Sequence, residues 1–399
     1  MRVVVCGAGL TGLALAGRIA ALGGEVLLLE RARGPRTQGY MIDFFGPGYD
    51  AVDAMGLRPA VERVAYPVSE AVYVDERGRR RASVEPAQFA SGPLLNLMRP
   101  DLERVLREAL PGDVELRFGT GPAAVDARDD GVRVTLEDGT DVDADLLVGA
   151  DGVHSTVRRL VFGDEPRFVR HLGFHTAAFT FEAPDVHARV EGRAYLTDTV
   201  RRLMGFYALR PAGGSRHRVA AFGVHRTPDP QVPDDVVAAV RAAYGDLGWA
   251  APTALDRMPP AADVYYDQVA QTVVPRWSRG RVVLAGDACH AVSLLAGQGA
   301  SLGIAGAYLL GGLLAGEGPA DRALARYEEL WRPVVEEKQR TGRSAARWFL
   351  PATPLQLRTR RVALRLARLP VADRGIAALL AGESTSLIRD MSRAEGTPG

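Results

Sequence analysis

The chain has 399 residues, 24% of them charged, and a formal net charge of +1. It is long enough to bury a large core, and its balanced charge argues against a nucleic-acid-binding surface or an acidic tail. Cys6 and Cys289 are too few and too far apart for a disulfide framework or a zinc site, so we expect no metal and a reducing, cytoplasmic setting. The N-terminus shows no secretion-signal pattern.

The N-terminal segment has the pattern of a dinucleotide-binding unit. The apolar run Val3–Cys6 predicts a buried parallel strand, and Gly7–Gly12 reads GAGLTG where a helix is predicted to begin. A second apolar run, Val26–Leu29, predicts the next strand, which ends at Glu30. Strand, GxGxxG, helix, strand and acidic residue together form the full fingerprint, whereas a lone GxGxxG could be a structural glycine turn.

Each specified position of this fingerprint has a physical role. Gly7 permits the tight turn, Gly9 lets the backbone approach a pyrophosphate, and Gly12 lets the helix pack against the strand. Glu30 would accept hydrogen bonds from the adenosine ribose, in FAD or in NAD. The cofactor-binding residues predicted in this segment are Gly7, Gly9, Leu10, Thr11, Gly12, Glu30 and Arg31.

Two further segments place a helix directly after a strand. Leu97–Leu102 carries Arg99 just before a predicted helix, either as a cofactor contact or as an arginine on a solvated helix face. Asp145–Ala150 predicts a strand that ends in Asp151–Arg158 (DGVHSTVR), whose aspartate and serine can also cap the following helix. Between them, Val114–Phe118 and Val132–Leu136 alternate apolar and polar residues and predict a small antiparallel meander.

Residues 166–275 lack the dinucleotide-binding pattern. Runs at 177–181, 203–208 and 218–224 predict a mostly antiparallel sheet with one face packed and one face open to a ligand, and 234–240 predict a capped helix. Aromatic and polar residues on these runs fit a substrate pocket, although each also fits a core or solvated position. The candidate substrate residues are Tyr195, Met204, Phe206, Tyr207, Phe222 and His225.

A second polar binding site is predicted after the apolar run Val282–Ala285. Asp287 can accept hydrogen bonds from a polyol, and the helix that begins at Gly297-Gln298-Gly299 presents unpaired N–H groups and the positive end of its dipole. The stretch Ala291–Ala315 carries no charge, and we expect a buried helix there instead of a membrane span. The cofactor-binding residues predicted in this segment are Gly286, Asp287, Gly297, Gln298, Gly299, Ala300 and Ser301.

Together these segments resemble the motifs of the FAD-dependent aromatic hydroxylases related to p-hydroxybenzoate hydroxylase, the group A flavin monooxygenases. The resemblance implies that Asp287 binds the ribityl chain of FAD and that Asp151 lies near the pyrophosphate. It also implies cofactor contacts for Arg36 and Arg99, and it places Val125 near the adenine.

The chain departs from the family pattern at a few positions. Leu294 stands where a proline commonly lies near the reactive edge of the flavin, which makes it a candidate for shaping the substrate pocket. Ser301 replaces the usual asparagine, and Gly306 lies where an aspartate is often found. We expect a structural role for His290 and no covalent flavin link at Cys289.

The resemblance implies a single-component monooxygenase that consumes NADPH or NADH. Its non-covalent FAD would react with O2 to a C4a-hydroperoxide and transfer one oxygen atom to an electron-rich, aromatic or polyketide-like small molecule. No catalytic residue is identified. The alternatives are an FAD-dependent reductase, a Baeyer–Villiger oxygenase and a non-catalytic flavin-binding protein. The segments Asp151–Arg158 and Gly286–Ser301 argue against an NAD-dependent dehydrogenase. A flavin halogenase would need a catalytic lysine between Gly7–Gly12 and the later motifs, and Lys338 is the only lysine.

The predicted fold class is α/β, with a Rossmann-like FAD-binding domain of the GR2 type, an inserted, mostly antiparallel β-sheet substrate domain and a C-terminal helical segment. The predicted boundaries are 1–165 with 276–330 for the first, 166–275 for the second and 331–399 for the third. The basic stretch 356–374 is expected to pack across the chain's own domains, with a membrane-surface helix as the alternative. We expect a monomer or homodimer without a nucleic-acid partner.

Overall fold

The fold is that of a computed structural model that describes most of the chain. The described residues are 1–36, 38–85, 92–211, 214–293, 297–316, 318–366 and 386–395. The helices are α1 (Leu10–Ala21), α2 (Pro47–Ala54), α3 (Arg58–Val64), α4 (Arg99–Glu108), α5 (Thr156–Val161), α6 (Pro184–Val190), α7 (Val236–Tyr244), α8 (Ala251–Asp256), α9 (Asp287–His290), α10 (Gly299–Ala315), α11 (Ala320–Phe349), α12 (Pro354–Leu366) and α13 (Leu387–Glu395).

A six-stranded sheet forms the centre of the cofactor-binding part. Its strands are β1 (Arg2–Cys6), β2 (Glu25–Glu30), β7 (Glu115–Phe118), β11 (Leu146–Gly149), β17 (Ser278–Arg279) and β18 (Val282–Leu284), in the order β17-β18-β11-β1-β2-β7. All neighbours are parallel except β17 and β18. Helices α1, α10 and α11 contribute to the same hydrophobic core, as expected for a parallel sheet covered on both faces.

The predicted meander is corrected by this sheet. The run Val114–Phe118 forms β7, which pairs in parallel with β2. The meander that does form is a three-stranded antiparallel sheet of β8 (Pro122–Ala127), β9 (Val132–Leu136) and β10 (Asp141–Ala144). Alternating polarity indicates a strand but does not identify its partner.

A seven-stranded sheet forms the second layer. Its strands are β4 (Ala71–Val74), β5 (Arg80–Val84), β12 (Val169–Glu182), β13 (Ala194–Thr197), β14 (Arg202–Ala208), β15 (Arg218–Arg226) and β16 (Tyr265–Thr272), in the order β16-β12-β15-β14-β13-β4-β5. All neighbours are antiparallel except β13 and β4. The predicted boundary at 165 is therefore corrected, because β4 and β5 come from within 1–165 yet belong to this sheet.

One face of the seven-stranded sheet is covered by its own helices. Side chains from α6, α7 and α8 share a hydrophobic cluster with alternate residues of β12, β14 and β15. Helix α7 begins as predicted for a capped helix, because the Asp235 carboxylate accepts a hydrogen bond from the Ala238 N–H at 2.9 Å. The opposite face is left to line a cavity shared with the cofactor-binding part.

A two-stranded ribbon also reaches this cavity. It is formed by β3 (Met41–Phe45) and β6 (Leu94–Met98).

The C-terminal helices pack on both parts of the fold. Helix α11 runs through the predicted boundary at residue 330 without a break, and α12 packs against β5. Within the described residues, no helix has both the length and the apolar character needed to cross a membrane.

Candidate cofactor and substrate site

The carboxyl ends of the parallel strands β1, β2, β7, β11 and β18 meet at two neighbouring cavities. The larger has a volume of about 540 Å³ and the smaller about 130 Å³. Gly9, Arg99, Ala150 and Gly152 line both, so the two cavities adjoin at the glycine turn. Ligands of open parallel sheets bind at this edge, outside the strand ends.

The smaller cavity is lined by several cations and by the carboxylates Glu30, Glu103, Glu137 and Asp151. Glu30 accepts hydrogen bonds from the N–H groups of Ala8 and Ala32, both at 2.9 Å, and lies 3.9 Å from Arg36. The carboxylate therefore sits at the end of β2, where the fingerprint predicts a ribose contact. The cationic side chains lining this cavity are Arg31, Arg36, Arg99, Arg107 and His154. Such a set suits a pyrophosphate, since guanidinium groups bind phosphate oxygens in pairs.

The three glycines of the fingerprint have different surroundings. A Cβ on Gly7, whose φ is +103°, would lie 2.5 Å from the carbonyl oxygen of Ala150, and one on Gly12 would lie 1.8 Å from the carbonyl oxygen of Gly7. Both positions are therefore fixed by close packing of the protein itself. A Cβ on Gly9 would meet only Arg99 Nη2, at 3.6 Å, so Gly9 leaves room on the cavity side.

The turn after β11 links two of the predicted motifs. The Asp151 carboxylate accepts hydrogen bonds from the Ser155 hydroxyl and, at 3.0 Å, from the Val157 N–H. Arg158 is fully buried and donates at 2.9 Å to the carbonyl oxygen of Ala288 in α9. Asp151 also lines the smaller cavity, and burial raises the pKa of its carboxyl. The turn thus caps α5 and borders the cavity at the same time.

His154 connects this turn to the seven-stranded sheet. Its Nδ1 lies 3.0 Å from Glu165 Oε1, and its Nε2 lies 3.2 Å from Asp267 Oδ1. The hydrogen bond to Asp267 raises the pKa of His154 to about 9, and Glu165 acts in the same direction. His154 lies within the segment Asp151–Arg158, and the only sequence signal for its role would have been a histidine in a phosphate-binding turn.

The larger cavity contains the predicted flavin end of the site. Asp287 is the first residue of α9 and lines the cavity, and burial raises the pKa of its carboxyl while the charge of Arg99 opposes the rise. Helix α10 begins at Gly299, with Gln298 at its N-cap, so its first N–H groups lie at the cavity. The other predicted cofactor-binding residues that line this cavity are Leu10, Thr11, Gly297 and Ala300.

Gly286 and Ser301 pack against neighbouring elements of the protein around the site. A Cβ on Gly286, whose φ is +60°, would lie 2.4 Å from Thr11 Oγ1. Ser301 is buried beside Gly48, and its Oγ accepts a hydrogen bond from the Phe45 N–H at 3.4 Å. These residues bring α1, α2 and α10 together at the base of the cavity.

The position expected for Val125 is corrected. Val125 lies on β8 and packs against the main hydrophobic core instead of lining the smaller cavity. Residues that flank β8 and β9 take its place on that side. They are Phe118, Thr120, Gly121, Pro122 and Glu137.

His290 and Cys289 are both buried within the protein. His290 packs on Trp277 with ring centroids 5.0 Å apart, and its Nε2 lies 3.4 Å from the Tyr327 hydroxyl. Burial lowers the pKa of His290 to about 4, so it is neutral at pH 7. The buried Cys289 thiol donates to the carbonyl oxygen of Leu284 at 3.3 Å, and burial raises its pKa.

The six described substrate candidates divide between the two faces of the sheet. Tyr207 and Phe222 line the larger cavity. Met204 and Phe206 are fully buried in the cluster on the opposite face, because successive residues of a strand point to opposite sides. Leu294, the seventh candidate, lies outside the described residues.

Tyr195 and His225 also lie on that opposite face. Tyr195 packs on Trp249 with ring centroids 5.4 Å apart, and His225 Nδ1 lies 3.0 Å from the hydroxyl of Tyr244 in α7. The prediction that Tyr195, Met204, Phe206 and His225 line the substrate pocket is therefore corrected.

Sequence reasoning missed the ribbon of β3 and β6. Asp43 and Asn96 are paired across it, line the larger cavity, and are joined by a 2.6 Å hydrogen bond from Asn96 Nδ2 to Asp43 Oδ1. Burial raises the pKa of Asp43, and the hydrogen bond from Asn96 opposes the rise. Because the partners are far apart in the chain, no local pattern identifies the pair.

The geometry fits an extended dinucleotide with a flavin. Arginines and carboxylates line the smaller cavity, the space at Gly9 joins the two cavities, and the Asp287 carboxylate and a helix start lie in the larger one. Complementary groups are available for each part of such a molecule: the arginines of the smaller cavity for phosphates, Asp287 for a polyol and the start of α10 for an electron-rich ring.

Comparisons with known proteins agree with this arrangement. A family model described as FAD binding domain matches residues 1–340. Uncharacterized protein Rv1260 of Mycobacterium tuberculosis is 34% identical over 343 residues, covering 84% of this chain and 91% of that protein. The 3-amino-4-hydroxybenzoate 2-monooxygenase PtmB3 of Streptomyces platensis is 31% identical over 394 residues, covering 94% and 93%. The crystal structure of tetracycline destructase Tet(51) superimposes with a TM-score of 0.80 at 26% identity, covering 96% of this chain and 98% of that chain.

Proposed function

The chain belongs to the FAD binding domain family and is an FAD-dependent monooxygenase, and we propose that it uses NADPH or NADH to insert one oxygen atom of O2 into an electron-rich, aromatic or polyketide-like small molecule. In the overall balance the reduced nicotinamide gives two electrons, one oxygen atom enters a C–H bond of the substrate, and the other leaves as water. The two joined cavities carry the proposal, since one wall holds the cofactor motifs and the other is a sheet face open to a ligand.

The chain's own residues bind and orient the reactants. The arginines of the smaller cavity would neutralise the cofactor phosphates, and Asp287 would accept hydrogen bonds from the polyol. The N–H groups and dipole at the start of α10 would stabilise negative charge on a flavin held in the larger cavity. Bound FAD supplies the redox chemistry, and the apolar sheet face excludes water from it.

Two comparisons support a ring-containing substrate. The Streptomyces platensis relative is named for a hydroxybenzoate, and the structural neighbour at 26% identity is named for tetracycline. Both printed names describe molecules with aromatic rings. For this chain the same class fits a cavity bordered by Tyr207 and Phe222.

The reaction is tested on the full-length protein. We expect a yellow protein whose FAD is released by denaturation, and NAD(P)H oxidation that depends on both O2 and a phenolic or polyketide substrate. Product formed under 18O2 should carry one labelled oxygen atom. A protein that cannot be reconstituted with FAD would refute the proposal.

The alternative reactions give different results in the same assay. An FAD-dependent reductase would turn over without O2, and a Baeyer–Villiger oxygenase would convert a ketone to an ester. A flavin-binding protein without turnover would hold FAD that neither NADPH nor NADH reduces. We also propose a cytoplasmic monomer or homodimer, which fits the two buried free cysteines and is tested by light scattering.

A further inference from the structure

The wall of the larger cavity opposite the cofactor motifs is broad and apolar. Alternate residues of the seven-stranded sheet point into it from β4, β13 and β15. They are Ala71, Tyr73, Ala194, Leu196, Phe222 and Val224. With Val84 on β5 and Tyr207 on β14, the wall spans five adjacent strands. Four strand spacings correspond to roughly 19 Å, which is wider than a single aromatic ring requires.

The charges around this cavity are mostly negative. Among the described residues that line it, the carboxylates are Asp43, Asp267 and Asp287, and the only cation is Arg99. Arg99 lies at the junction with the smaller cavity, and its Nη1 donates to Glu103 Oε2 at 2.9 Å. The sequence of the segments 86–91 and 294–296, which lie outside the described residues, contains no lysine, arginine or histidine.

A cation next to the apolar wall is buried and does not line the cavity. Arg360 of α12 lies over the ring of Tyr73, 5.1 Å from its centroid, and donates to Asp198 Oδ1 at 2.6 Å. Both Arg360 and Asp198 are buried, and Asp198 also accepts a hydrogen bond from Arg361. Arg360 is therefore held by a carboxylate of the protein and is not among the residues that line the cavity.

From this charge distribution and this shape we propose that the substrate is a neutral multi-ring molecule without a carboxylate, an inference that rests on the proposed monooxygenase function. A carboxylate against this wall would be buried without a cation, in a cavity that Asp43 and Asp267 also line, which is unfavourable. A ring system would instead bury apolar surface against several strands at once. Neutral hydroxyl or carbonyl groups can pair with Thr176 and Gln268, which line the same cavity.

The first experiment compares ligands that differ only in a carboxylate. FAD-loaded protein is titrated with 2-naphthol and with 3-hydroxy-2-naphthoate, and the change in flavin absorbance gives each Kd. We expect naphthol to bind at least about tenfold more tightly. Equal or tighter binding of the naphthoate, or of 3-amino-4-hydroxybenzoate, would overturn the proposal.

A size series tests the width of the wall. Affinity should increase from phenol to 2-naphthol to 2-hydroxyanthracene, because each added ring covers more apolar surface. A flat series, or one in which phenol binds best, contradicts the multi-ring part of the proposal.

A substitution at the wall should reverse the charge preference. Leu196→Arg places a cation among the apolar residues, and the ratio of naphthoate to naphthol affinity should rise at least about tenfold relative to Leu196→Met. If Leu196→Arg does not fold, Ala194→Arg tests the same wall from the same strand. An unchanged ratio in a folded variant argues against the proposal. These titrations use neither NAD(P)H nor O2, so they can succeed while the proposed turnover fails, and the reverse.

Discussion

Gly9 and Gly12 lie three positions apart, yet a side chain would meet different surroundings at each. A Cβ on Gly12 would lie 1.8 Å from a backbone oxygen, whereas one on Gly9 would meet only the end of the Arg99 side chain at 3.6 Å. We expect Gly9→Ala to fold normally and lose FAD, because the methyl group occupies the space through which the cofactor passes. Gly12→Ala should lower the melting temperature of the apoprotein by several degrees or prevent folding.

The two glycine variants control each other. Thermal denaturation of FAD-free protein reports folding, and quenching of FAD fluorescence on binding reports affinity. A Gly9→Ala protein that is as unstable as Gly12→Ala, or that binds FAD like the wild type, would show that the space at Gly9 has another purpose.

Substitutions of Asp287 test whether the larger cavity holds the polyol of FAD. Its side chain is exposed to the cavity, and desolvation raises the pKa of its carboxyl, so a bound polyol can reach it. Hydrogen bonds from a polyol to a charged group contribute about 1.5–3 kcal/mol, so Asp287→Ala should weaken FAD binding by roughly ten- to a hundredfold. Asp287→Asn, which still accepts a hydrogen bond, should lose less. The Kd values are obtained by titrating FAD into the apoproteins, and equal loss in both variants would refute a hydrogen-bonding role.

Among the secondary-structure elements, α12 is held to the seven-stranded sheet by one buried carboxylate. Asp198 follows β13 and accepts hydrogen bonds from Arg360 and Arg361. Since Asp198 and Arg360 are both buried, this anchor differs from an ion pair in water. It accompanies the packing of α12, which contains the start of the basic stretch, on β5; residues 367–374 of that stretch lie outside the described residues.

Removing that carboxylate should destabilise the protein strongly. Asp198→Ala leaves buried positive charge without its carboxylate, and such a loss costs about 3–5 kcal/mol in free energy of unfolding. The control is Asp143→Ala, which breaks the exposed ion pair with Arg133 and should change stability little. Urea denaturation monitored by circular dichroism measures both variants. Similar effects for the two would mean that burial of the Asp198 pair adds nothing.

For the molecule as a whole, the sequence predicts structure formed by residues that are close in the chain and misses contacts between residues that are far apart in it. The turns at Gly7, Asp151 and Gly286 were located because each joins a strand to a helix within a few residues. The pairing of β4 with β13 and the contact between His154 and Asp267 were missed, because they join residues more than a hundred positions apart. The sequence also does not show which face of β14 lines the cavity. Both faces of this strand are buried and apolar, so its residues do not alternate between apolar and polar.

The histidines give the folded protein two opposite responses to pH. Burial lowers the pKa of His225 to about 4 and lowers that of His175, and it does the same for His290. Because the unfolded-state pKa is about 6.5, the unfolded chain binds more protons there, and this contribution to stability is lost as the pH falls from 6.5 towards 4. His154 has a pKa raised to about 9 by Asp267 and Glu165, so its contribution is present below about 6.5 and is lost as the pH rises towards 9.

Each single histidine substitution should reduce the pH dependence of the melting temperature on one side of the profile, acid or alkaline. His225→Asn keeps a hydrogen-bonding group near Tyr244 but cannot be protonated, so its melting temperature should fall less than that of the wild type between pH 6.5 and 4.5. His154→Asn should instead reduce the fall between pH 6.5 and 9, because it removes the charge held by Asp267 and Glu165. Each variant is the control for the other side of the profile, and carboxyls such as Asp43, which titrate in both proteins, cancel in the difference. A His154→Asn profile that is altered on the acid side and unchanged on the alkaline side would contradict the assignment, and with it the view that this histidine joins the two sheets through its positive charge.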